Sequence, residues 1–431
     1  MNIFETYTRL RYQTNQKLLS FKPVPPLAST FKERMLGEKE EVPDIDNLAL
    51  GQLIKEVFSF QAYYPNHPYS LRKRTASARS IHPFFPVIYY KGYSYLYDSL
   101  SNRFIYFAYD RKKREEIKVC LYLDIWRICA VYGEFGLPLS LLELGHILSD
   151  LKWLVQDNQL LSMEEEKLTF TAYQSTDLDQ AKDLYQLAAL SFIDKEKREL
   201  ARKGMTKTRL QKKYNYQKEV EQLPILQELK AVKASQLGRT GRYGRKLEGL
   251  LAKRKDRHSL NQRMGTFPLG PAFSVKFLRT YLQEVSHYIK EWAFDEVGFY
   301  LLSLHIDGLA KGIYKWDGEN LMMIEEDVDP YFIFYEGREG INIERLPFLI
   351  LLSVKIDKPE SREAFFESHI HIGEIVHTMS LLFAGEDRFS RPFKNINDSY
   401  VEGICQTDPE EYFIYACMFG SGRRQAGIPW R

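Results

Sequence analysis

Apolar residues recur along the chain with two periods, and the switches between the periods mark its elements. Leu48, Leu50, Leu53, Ile54 and Val57 fall near one face of a 3.6-residue spiral, which predicts a helix from about Asn47. Phe84 to Tyr90 is a short run of aromatic and β-branched residues, the composition of a strand. From Pro138 to Gln156, Leu141, Leu144, Leu148, Leu151 and Val155 repeat at three and four residues, so one helical stripe must be buried. The order then returns. A helix from about Ser274 to Lys290 precedes a strand from Val297 to Leu304. A second strand, Phe348 to Val354, lies between Pro347 and the Lys355 to Pro359 turn, and a late helix carries Ile372, Val376, Met379 and Phe383 on one face. The repetition predicts a duplicated α+β unit.

Breakers and charge divide the chain further. The N-terminal arm contains Lys22-Pro23-Val24-Pro25-Pro26, where fixed φ angles and missing amide donors oppose regular structure. Between Lys195 and Asp256 there are 19 Lys/Arg against 7 Asp/Glu, a net of +12 that leaves −9 for the rest of a chain whose total is +3. This basic connector favours helix up to Gln236, after which Gly238, Gly241 and Gly244 break it. The expected organisation is an N-terminal domain over 1–194, a connector over 195–256 and a C-terminal domain over 257–431. The connector reads most simply as a solvated linker, although its charge also suits an acidic peptide or nucleic acid.

Length and composition restrict the class. The 431 residues exceed one ordinary core, and 44% hydrophobic content with 14% aromatics is ample for burial. Cys120, Cys129, Cys405 and Cys417 form no CxxC pair, and no apolar secretory segment follows Met1, so a reducing cytoplasm is expected. No sequence run approaches the roughly 20 apolar residues of a bilayer span. His369 and His371 with Glu374 and His377 imitate a metal set, but the first two lie two apart and point in different directions, so no metal is expected.

Candidate chemistry lies at two basic clusters. Arg257-His258-Ser259-Leu260-Asn261-Gln262-Arg263 places cations and a hydroxyl ahead of an apolar helical run, and Gly420-Ser421-Gly422-Arg423-Arg424 stands near the other end of that domain. A phosphate monoester favours guanidinium forks, small hydroxyls and free amide protons at a helix start. Arg257, Ser259, Asn261 and Arg263, with Arg423 and Arg424, are therefore the candidate phosphate clamp.

With these clusters, several segments resemble the azoline dehydrogenases of thiazole/oxazole-modified peptide biosynthesis, a family of nitroreductase-like flavoproteins. Thr75 to Pro83 is similar to that family's Pro-Ser-Ala-Gly-x-x-Tyr-Pro segment, although Ala76, Arg79 and His82 stand in place of Pro, Gly and Tyr. Tyr132-Gly133-Glu134 followed by Leu144-Gly145-His146 resembles its Tyr-Gly-Glu-Arg and Ala-Gly-His run. Asp307 to Tyr314, Gly373 and Tyr415 to Gly420 also fit. The resemblance covers most of both bodies and none of the connector. It implies an α+β fold of two tandem nitroreductase-like domains forming an intramolecular pseudo-dimer. The clamp occurs only in the second half and the Ser77 segment only in the first, so one FMN is expected, with Ser77, Ala78 and Arg79 at the isoalloxazine edge.

The resemblance further implies oxidation of azoline rings in a ribosomally made peptide, with a separate cyclodehydratase or peptide-recognition protein as partner. Such a reaction removes a carbon-bound proton and delivers a hydride to the flavin, so it needs a base. The family's base is an adjacent Lys-Tyr pair; here Val131 precedes Tyr132, leaving Tyr132 as the catalytic candidate. The missing lysine leaves two other readings open: a non-catalytic scaffold that binds peptide within a modification complex, and a flavin-dependent reductase of dehydroamino acids.

Overall fold

A computed structural model gives the fold. The structure describes residues 31–64, 70–113, 116–172, 178–179, 184–195, 201–212, 254, 256–259, 266, 268–269, 273–291, 297–334, 341–385, 387–422 and 428–429. The Lys22 to Pro26 arm, the connector glycines, Asn261, Arg263, Arg423 and Arg424 lie outside them.

After strand β1 (Phe31–Pro43) and helix α1 (Ala49–Phe58) come β2 (Phe84–Tyr90), β3 (Tyr93–Asp98), β4 (Arg103–Tyr109) and β5 (Ile117–Asp124). Helices α2 (Ile125–Tyr132) and α3 (Gly136–Gln156) lead to β6 (Leu161–Ala172), β7 (Leu184–Asp194) and β8 (Ala201–Lys212). The second half contains α4 (Val275–Glu291), β9 (Val297–Ser303), β10 (Gly312–Trp316), β11 (Leu321–Glu326) and β12 (Phe348–Lys355). It continues with α5 (Arg362–Phe383), β13 (Arg388–Phe393), α6 (Asp398–Cys405) and β14 (Glu411–Ser421).

The duplication is visible in strand order. One six-stranded sheet runs β4-β3-β2-β5-β7-β6 and the other β11-β10-β9-β12-β14-β13, so adding seven to each strand number converts one into the other. Every pairing within the two sheets is antiparallel. Both faces of the central strands are buried, which explains their nearly unbroken apolar sequences. In β12, Phe348, Ile350, Leu352 and Val354 join the core shared by the two halves, while Leu349 and Leu351 join a separate outer cluster. In β5, Val119, Leu121 and Leu123 point inward, and Cys120 and Tyr122 outward.

The shared core is centred on α3 and α5. Gly145 and Gly373 meet where these helices cross: a Cβ at Gly145 would lie 2.0 Å from the Ile370 carbonyl oxygen, and one at Gly373 2.3 Å from that of Leu142. The contact is reciprocal, as a twofold relation requires. Lys152 of α3 bridges Glu374 of α5 and, at 2.8 Å, Glu166 of β6. Trp153 Nε1 donates to Thr378 Oγ1 at 3.3 Å. Together with the turn between them, α2 and α3 span Ile125–Gln156, which by length and composition alone could cross a membrane; here it is mostly buried inside the fold.

Two expectations need correction. The helix expected in the connector is, over Ala201–Lys212, strand β8, antiparallel to β1. Buried Thr208 and Leu210 alternate with exposed Arg209, and Leu210 joins Phe85, Val87, Leu96 and Ile105 on the outer face of the first sheet. Burial of that face outweighs the helical propensity of the Lys and Arg residues. Helix α3 is also not buried on one stripe alone: Glu143, His146, Ser149 and Asp150 are buried as well, because α5 and the first half enclose its other side.

Candidate functional site

The segment over 254–259 threads between the halves. Arg254 is fully buried and forms a bidentate pair with Asp150, Nε to Oδ1 and Nη2 to Oδ2, both at 2.6 Å. It also donates to the carboxylate of Glu56 and, at 2.8 Å, to the Glu56 carbonyl oxygen. Burial alone would raise the Asp150 pKa, but the Arg254 guanidinium and His377 bring it below the usual carboxylate range.

Three residues on, Arg257 is half-buried and donates through Nη1 to the carbonyl oxygen of Arg74. Among the described residues, its Nε is buried without a hydrogen-bond partner. Burial lowers the Arg257 pKa, with Cys417, Asp150 and Tyr415 acting in the opposite direction. The Ser390 amide donates to the His258 carbonyl at 3.0 Å, fastening this segment to β13, and Ser259 is half-buried beside it. Arg257 thus links the second half to the approach of the Ser77 loop.

That loop has an unusual backbone. Ala78–Ser80 is a single tight turn in which Arg79 has φ 48° and ψ 26°, and Ser80 and His82 also have positive φ. Each non-glycine residue in this region costs about 1–2 kcal/mol. The His82 amide donates to Ser77 Oγ at 2.9 Å. The Ser77 hydroxyl also hydrogen-bonds to Glu143, and His82 Nδ1 stands 3.7 Å from Glu143 Oε1. Burial pushes the Glu143 carboxyl up to about 8, against that hydrogen bond and the charges of Lys73 and Arg127. Desolvation brings the Lys73 ammonium down to about 7, opposed by Glu143 and reinforced by Arg127. Burial likewise holds His82 well below its ordinary value, with Lys73 adding to the effect.

Tyr132 ends α2, half-buried, and the Arg79 guanidinium lies over its ring, 5.4 Å from the centroid. The structure therefore joins Arg79 to Tyr132, Ser77 to Glu143, and Arg257 to the approach of the loop at Arg74. Ala78 is half-buried and opens the turn.

A second polar chain crosses the boundary between the halves. Tyr415 OH and His146 Nε2 are 3.4 Å apart, His146 Nδ1 and His377 Nδ1 3.4 Å, and His377 Nε2 stands 3.3 Å from Asp150 Oδ1. Burial holds both histidines below their ordinary pKa, which keeps them neutral. Lys73, Glu143, Asp150 and Arg254 are not singled out by the motifs. One signal was present: Glu143, His146 and Asp150 recur at three and four residues on a helix otherwise rich in leucine.

No protein-family model matches the chain, and no curated protein matches it. Among solved structures, the chain is similar to a protein assigned as a nitroreductase from Anabaena variabilis, with 14% identity and a TM-score of 0.66, over 96% of this chain and 100% of that one. A protein with the same assignment from Ralstonia eutropha matches over 41% of this chain and 84% of its own, with 13% identity and a TM-score of 0.30. A chain of the E. coli microcin synthetase McbBCD complex matches over 39% of this chain and 74% of its own, with 11% identity and a TM-score of 0.27. The protein therefore has a nitroreductase-like α+β fold in tandem form, two such domains of one chain making an intramolecular pseudo-dimer.

Proposed function

We propose that this chain is an FMN-dependent dehydrogenase that oxidises azoline rings of a ribosomally made peptide to thiazoles or oxazoles, with one flavin held between its halves. The observation that carries the proposal is Arg257: a guanidinium drawn from water, with an unpartnered Nε, between the clamp segment and the approach to the Ser77 loop. A partly desolvated guanidinium with one N–H left without an acceptor suits a phosphate monoester, which brings both charge and lone pairs. Arg257 and half-buried Ser259 would hold the phosphate, joined in the sequence reading by Asn261, Arg263, Arg423 and Arg424. Ser77, Ala78 and Arg79 would border the ring system.

A bound FMN supplies the two-electron acceptor for the hydride leaving the azoline ring. Tyr132, in its ionised form, would take the accompanying proton at its phenolate oxygen. The tandem fold supports a single composite site, and the segments from Thr75 to Pro83 and from Tyr132 to Glu134 support the azoline class. The precursor peptide and a cyclodehydratase or peptide-recognition protein are the partners this chemistry requires, because the azoline must be made before it is oxidised.

The visible absorption spectrum of the purified protein, followed by denaturation and quantification of released flavin, tests the proposal. About one FMN per chain is expected. No flavin, even after FMN is added, would overturn it in favour of a peptide-binding scaffold.

A further inference from the structure

Arg79 holds a backbone conformation that L residues rarely adopt. Its φ is 48°, with Ser80 at 53° and His82 at 48°, and none of the three is glycine. Such strain persists where the surroundings over-determine it, and it collects at functional sites. Here the surroundings are specific. Ser77 Oγ accepts from the His82 amide at 2.9 Å, the Ile81 amide donates to the Ala78 carbonyl at 3.1 Å, and the Asp124 amide donates to the Pro83 carbonyl at 3.0 Å. The last bond ties the loop to the N-cap of α2, the helix that Tyr132 ends.

The strained turn directs the Arg79 side chain to Tyr132, with the guanidinium 5.4 Å from the ring centroid and both side chains half-buried. A planar, permanently charged guanidinium suits an aromatic face. The residue before Tyr132 cannot easily provide a cation: Val131 is fully buried in the shared core, so a lysine there would carry its ammonium into apolar surroundings.

We propose that Arg79 is a positioning residue for Tyr132, fixing the ring and favouring negative charge on its oxygen, so that the strained loop supplies the cation absent at Val131. The inference deepens the proposed function and rests on it for the flavin and the substrate. Arg127, earlier in α2, and buried Glu134 flank Tyr132 in sequence and stay the same in every variant below.

Arg79→Gly removes the cation and relieves the left-handed strain, so its effects on stability and on turnover should have opposite signs. The expected result is a thermal midpoint no lower than that of the unaltered protein, and rates are compared per bound flavin because Arg79 also borders the proposed ring site. Flavin bleaching by a synthetic peptide carrying one 2-thiazoline ring should slow by on the order of 10²-fold, and Arg79→Lys should recover part of the rate. Tyrosine-labelled, flavin-free protein provides an independent readout by 13C NMR, with Tyr132→Phe identifying the resonance. Ionisation of Tyr132 should move to higher pH in Arg79→Gly. An unchanged Tyr132 titration, or bleaching at the original rate with flavin intact, overturns the assignment. If the unaltered protein binds no flavin, the functional reading fails instead, and the titration still decides the role of Arg79.

Discussion

Gly145 and Gly373 face each other at the crossing of α3 and α5, each leaving open the space filled by a carbonyl oxygen of the other helix. This close approach lets the two halves share one core and brings His146, His377 and Asp150 together across their boundary.

Gly145→Ala should therefore destabilise the protein. Helix propensity alone favours alanine by about 1 kcal/mol, whereas a Cβ 2.0 Å from the Ile370 carbonyl oxygen must displace backbone rather than a flexible side chain. Overpacking of this kind costs about 1–3 kcal/mol or more. The packing cost outweighs propensity. Urea denaturation checks the sign, and a gain in stability would refute the tight crossing.

Arg254→Met leaves Asp150 buried without its bidentate partner, a loss worth about 3–5 kcal/mol near neutral pH. In the unaltered protein Asp150 has a depressed folded-state pKa, so its contribution is present above the ordinary carboxylate value of about 3.9 and is lost as pH falls below it. In the variant, burial without the guanidinium reverses the shift. The deficit should shrink as pH is lowered from neutral toward 5. Denaturation midpoints at the two pH values measure this, and a deficit independent of pH would contradict the pairing.

Glu143→Gln should become progressively more favourable as pH rises. The Glu143 carboxyl is pushed up to about 8, so the folded chain holds its proton more tightly than the unfolded chain. That contribution is complete below the ordinary glutamate value and is lost as pH climbs through about 8. Glutamine carries no such penalty. Comparing thermal midpoints of variant and unaltered protein at pH 5 and pH 8 measures this. A constant gap would count against the buried carboxyl.

Arg257→Met separates binding from folding. Loss of a charge-assisted contact worth roughly 1.5–3 kcal/mol should weaken FMN binding by about one to two orders of magnitude. Flavin-free stability should change little or rise, because replacing a desolvated cation by an apolar side chain is often neutral or favourable. Fluorescence titration with FMN reads the first effect and urea denaturation the second. Undiminished affinity would remove Arg257 from the clamp.

The sequence alone determined the strongly periodic elements. Strand β2 coincides with the Phe84 to Tyr90 run, and α3, α5, β9 and β12 lie within a few residues of where their apolar spacing puts them, because burial requires that spacing. It also revealed the repeat and the two residues, Arg79 and Tyr132, that prove to be in contact. Only the tertiary structure decided the fate of Ala201–Lys212, whose buried Thr208 and Leu210 acquire meaning from the sheet face they cover. It alone decided that Glu143 lies beneath Ser77, that Arg254 reaches both Glu56 and Asp150, and that Tyr415 connects with His146 and His377. Periodicity reports which face of an element is apolar. The partners of these buried charges lie from 66 to 198 positions away in the chain, and nothing local records them.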